Sequence, residues 1–166
     1  YSTARLDPPV SEKDGFKRPP VTTAAWMISA LFTGHAKPKD TAITDRADLL
    51  LREENLPKWE RGRIDYEYWW LATQAVFQTG GQRWKKWEKP MSDALLAHQR
   101  GYSEIDKKQG WDSAEKLDEH GSWDAADIWN TDGRVSTTAL ANLCLQTFYR
   151  YARVEESNEG KLTQRG

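Results

Sequence analysis

Three stretches of this sequence are apolar around most of a helical circumference, and two stretches with only one apolar face separate them. A helix that is apolar all round has to be buried on several sides, whereas a one-faced helix lies against the outside of something. The alternation therefore predicts a chain of helical hairpins, each an inner helix, a short turn, an outer helix and a return loop. Stacking such hairpins covers both flanks of every inner helix but the terminal ones.

The first inner helix is announced by Thr22 and Thr23, followed by the run AAWMISALF and the stop at Gly34. A one-faced helix over 41–54 carries Ile43, Ala47, Leu50 and Leu51 on one side and Asp45, Arg46, Asp48 and Arg52 on the other. The second inner helix, IDYEYWWLATQAVFQT over 64–79, ends at Gly80 and Gly81, which tolerate a left-handed backbone. QRWKKWEK reads as an extended or single-turn piece, with Pro90 in the first turn of a fourth helix whose stripe is Met91, Ala94, Leu95 and His98. The last inner helix, 133–153, carries Val135, Ala139, Leu140, Leu143, Leu145, Phe148 and Tyr149. The Thr-containing tetrads at 22–25, 72–75 and 137–140 occupy like places in the three inner helices. Thr23 to Thr73 is 50 residues and Thr73 to Thr138 is 65, so the repeat is about 50 with an insertion in the second unit.

That insertion is 101–120, where nine of twenty residues are charged and no period is visible, so a solvated surface loop is expected. Residues 1–20 hold four of the seven prolines and read as an extended arm. Residues 21–154 make the helical domain, and 155–166 read as a polar tail that frays. The 24 Lys and Arg nearly balance the 25 Asp and Glu, so the global basic footprint of a nucleic-acid binder is absent. The longest apolar run, 24–32, falls far short of the roughly 20 residues that span a bilayer. A start at Tyr1 and an unpaired last inner helix lead us to expect a piece of a larger assembly.

The segments DYEYWWLATQAVFQTGGQRWKKWEKPMSDALLAHQR, GSWD and GRVSTTALANLCLQTFYRYA resemble the prenyltransferase and squalene-oxidase repeat domains. These are relatives of the squalene-hopene cyclases and are abundant in planctomycetes and other bacteria. Their signature places a Gln at the end of an outer helix before Gly-x-Trp. Leu95, Leu96 and Gln99 match the helix end, and Gly121, Ser122 and Trp123 match the rest, displaced by the insertion. Gly110-Trp111 is a poorer match, and in the first unit only Leu49 to Leu51 and Trp59 survive. The resemblance covers about 21–153. It implies an all-α fold, an α/α toroid or an open arc of one built from about five main helices. It also implies that Gln99 and Trp123 knit neighbouring hairpins together.

The catalytic parts of that family are not matched. The Asp-rich acid motif has no counterpart beyond Asp124-Ala-Ala-Asp127, and Cys144, His35, His98 and His120 have no zinc-ligand spacing. Neither a phosphate loop, a Ser–His–Asp pattern nor HExxH occurs. Neither cofactor nor metal is expected. The leading expectation is a helical-repeat module that docks to a protein partner or to the remainder of its toroid. A second is a lipid or isoprenoid ligand in a cavity lined by Tyr66, Tyr68, Trp69, Trp70 and Phe77, since ring faces stabilise cations in the cyclases it resembles. A third is a carbohydrate surface built from Trp123, Asp124, Asp127, Trp129 and Arg134, with Trp111 and Asp112 near it. The family's frequent occurrence in exported proteins implies an extracytoplasmic or periplasmic setting.

Overall fold

The computed structural model describes residues 12–101, 104–108, 119–129 and 132–162. Among the described residues, six helices and one small hairpin make an all-α fold: β1 (Glu12–Lys13), β2 (Phe16–Lys17), α1 (Val21–Phe32), α2 (Thr41–Leu50), α3 (Tyr66–Thr79), α4 (Gly81–Leu96), α5 (Glu104–Lys108) and α6 (Gly133–Leu162). No described helix is long and apolar enough to cross a membrane.

The packing follows the two kinds of helix. α3 is the hub: α1 and α6 make its most extensive contacts, α2 packs on both α1 and α3, and α4 packs on α3 and α6. We call α1, α3 and α6, the helices expected as inner, the inner row. Glu67 is the one exposed residue of α3. Asp65 caps this helix by accepting from the Tyr68 N–H at 2.9 Å, and Gly80 ends it at a φ of 60°. The core gathers Met27, Ile43, Leu50, Trp69, Val76 and Trp87 from four helices.

Five details depart from the sequence reading. Residues 12–17 of the expected extended arm form a hairpin, because Asp14 and Gly15 both take positive φ (53° and 76°), the geometry of the tight turn that matches strand twist. α4 starts at Gly81, so QRWKKWEK is helical and Pro90 sits inside the helix rather than in its first turn. The gain comes from Trp87, fully buried with its Nε1 donating to Thr73 Oγ1 at 2.9 Å, and from its stripe with Met91, Ala94 and Leu95. Burying that stripe exceeds the roughly 3 kcal/mol that a proline costs inside a helix. α2 stops at Leu50, short of Glu54, and Glu53–Asn55 form a separate 3-10 turn tied back by Asn55 Nδ2 to Leu49 O at 2.9 Å. The charged insertion is not wholly solvated either. Asp106 on α5 is buried, holding Arg100 Nη1 at 2.7 Å and the Gly101 N–H at 3.1 Å. Gly110, Trp111, Asp112, residues 1–11 and residues 163–166 lie outside the described residues. α6 runs on as helix to Leu162, through most of the segment expected as a tail.

Candidate functional site

Gln99, Gly121 and Trp123 meet where α4 ends and the loop 119–129 crosses to α6. Past the last turn of α4, Gln99 Nε2 donates to the Gly121 carbonyl at 3.0 Å. The chain segments run side by side there, with Arg100 N–H on Ser122 O at 2.9 Å and Gly121 N–H on Arg100 O at 3.0 Å. Trp123 is fully buried, and its Nε1 donates at 2.8 Å to the Leu95 carbonyl, which also accepts the His98 N–H at 3.1 Å. Its own backbone is held from α6: its N–H donates to Thr138 Oγ1 at 3.1 Å, and its carbonyl accepts from Thr137 Oγ1 at 2.9 Å. The pair thus ties the loop to α4 and α6 at once.

The charged residues of the loop are likewise engaged. Asp124 is bracketed by Arg134, whose Nη1 is 2.8 Å from Oδ1, and by Arg100 on its other oxygen. Arg134 also reaches Glu119 at 3.0 Å and Ser122 Oγ at 3.0 Å. The hydrogen bond to Asp124 raises the Arg100 guanidinium above its ordinary value, burial opposing. Asp127 is buried and serves the other end of the core, accepting the Tyr66 N–H at 3.0 Å and the Trp129 N–H at 2.6 Å. It therefore shares the start of α3 with Asp65, which in turn holds Arg18 Nε at 2.6 Å. Trp129 donates its Nε1 to Gly62 O at 3.0 Å, and the Arg18 guanidinium lies 5.9 Å from its ring centroid. The five loop residues do come together, but as ties between elements. Trp123 offers no open ring face, and Asp124 and Asp127 serve separate partners.

The aromatic helix behaves as core. Tyr66, Tyr68 and Trp69 are fully buried, while Trp70 and Phe77 are half-buried. Tyr68 meets Trp87 edge-on at 5.8 Å, Phe77 meets Trp84 at 5.1 Å, and Tyr66 meets Trp69 at 5.6 Å. Trp59 stacks on His98 at 4.1 Å and touches the Tyr66 and Trp69 rings. Tyr66 Oη donates to Asp124 O and Tyr68 Oη to Asn55 O, both at 3.0 Å. Burial pushes both phenols well above their ordinary range, with Asp124 adding at Tyr66 and Asp65 at Tyr68. Cys144 is buried, which pushes its thiol up to about 12 against the opposing bond to Thr73. Among the described residues no group of three metal-ligating side chains converges.

Compared with protein-family models, with curated proteins and with solved structures, the chain matches none.

Two features remain, a cavity outside the sequence reading and the open inner-helix faces that the unpaired last inner helix led us to expect. One is a shallow cavity of about 610 Å³ between α2 and the start of α4, lined by Asp48, Thr79, Gly81, Gln82, Arg83 and Lys86 among others. Arg83 is occupied there by a two-pronged pair with Asp48 at 2.7 and 3.0 Å, which lowers the Asp48 carboxyl below its usual value. The other is the pair of open faces at the ends of the inner row. On α1, Trp26 is 43% and Phe32 67% exposed, and on α6, Val135 is 85% and Leu143 38% exposed. The signal for both was already present, since α1 carries no charged residue at all and residues 135–147 carry none.

Proposed function

We propose that the chain is a helical-repeat module that works by docking to protein, not by catalysis, and that its hairpins form an open arc of the α/α toroid type found in the squalene-cyclase repeats. The observation that carries this reading is the exposed, uncharged apolar stripe on each terminal inner helix. A solvent-facing helix face ordinarily carries charge, as α2 does with Asp45 and Asp48 and α4 with Lys85, Lys86 and Lys89. Charge depletion around exposed aromatics is the composition of an interface centre, and contiguous apolar patches of this kind mark interaction sites. Burying side chains such as Phe32 and Val135 favours association by up to about 1.5–3 kcal/mol each. The commitment of Asp124, Asp127, Arg100 and Arg134 to tying elements together supports the docking role over a catalytic one.

The test is site-specific photo-crosslinking in the native source, with the reactive residue at position 26 or, as control, at position 45 on the charged face of α2. Position 26 is expected to give discrete protein adducts that position 45 does not. Equal or absent adducts at both positions would remove the reading.

A further inference from the structure

We draw no further inference here: the strongest candidate, the polar cavity between α2 and the start of α4 lined by Thr79, Gly81, Gln82, Arg83 and Lys86, carries nothing, because it rests on a helix N-terminus whose nearby guanidinium is already paired with Asp48, and no fully buried, unpartnered side chain lines it among the described residues.

Discussion

At the scale of single residues, the side chains that tie distant segments together are those with one directional polar atom on an apolar body. Trp123 illustrates the division of labour: its ring is buried for packing, and its Nε1 satisfies the Leu95 carbonyl across 28 residues of sequence. Trp123→Phe keeps most of the bulk and removes the indole donor, while the Leu95 carbonyl keeps the His98 N–H. The expected loss is about 0.5–1.5 kcal/mol, one net hydrogen bond, whereas Trp123→Ala, which also opens a cavity, should lose about 3–5 kcal/mol. Urea denaturation of the two variants beside the parent chain measures both. Equal losses would mean that ring packing alone matters and that the hydrogen bond contributes nothing. The sequence reading grouped Gln99, Gly121 and Trp123, and the structure brings them together. That reading could not show that Gln99 bonds Gly121 O, or that Asp127 belongs to the start of α3, because those partners are set by how the loop is threaded.

At the scale of elements, helix-interior proline and loop glycine show local preference yielding to packing and also limiting it. Periodicity read α1, α2, α3 and α6 to within a few residues at their starts. It broke α4 at Pro90 because a proline is a strong local stop signal. The stripe of Trp87, Met91, Ala94 and Leu95 runs through Pro90 unbroken, and tertiary burial of that stripe keeps the helix whole. Pro90→Ala restores a backbone donor to the middle of α4 and is expected to raise stability by about 1–3 kcal/mol. Thermal and urea unfolding would show this, and a loss of stability instead would mean that the proline ring itself packs usefully. The arm is the opposite case. Its Asp14-Gly15 turn is a local signal for a hairpin, yet the docking of that hairpin is tertiary. The Phe16 ring lies so close to Gly62, whose φ is 82°, that an added Cβ would sit 2.2 Å from it. Arg18 then bonds Asp65 at 2.6 Å and Glu67 at 2.8 Å at the start of α3.

At the scale of the whole molecule, α3 packs against α1, α2, α4 and α6, so no described long helix has a core independent of it. Polar ties reinforce the centre: Trp87 bonds Thr73, Gln74 bonds Thr147, and Arg18 bonds the Asp65 cap. A fold organised around one central helix is expected to unfold as a single cooperative unit. Tryptophan fluorescence and far-ultraviolet circular dichroism should give coincident urea transitions. Two separated transitions would mean that the hairpin units hold their own cores.

The sequence by itself determined the all-α class, the helical periods of the main segments, and α3 as a helix buried on several sides. These follow from the period of apolar residues within one segment, a short-range property that the chain carries before it folds. Tertiary structure alone decided which aromatic faces are spent on neighbours, where the arm docks, and how Asp106, Asp124 and Asp127 are divided among partners. Those choices depend on contacts such as Trp129 to Gly62, across 67 residues, and Gln74 to Thr147, across 73. A directional bond over such a separation has no local signature, because its geometry exists only once both ends have been brought together.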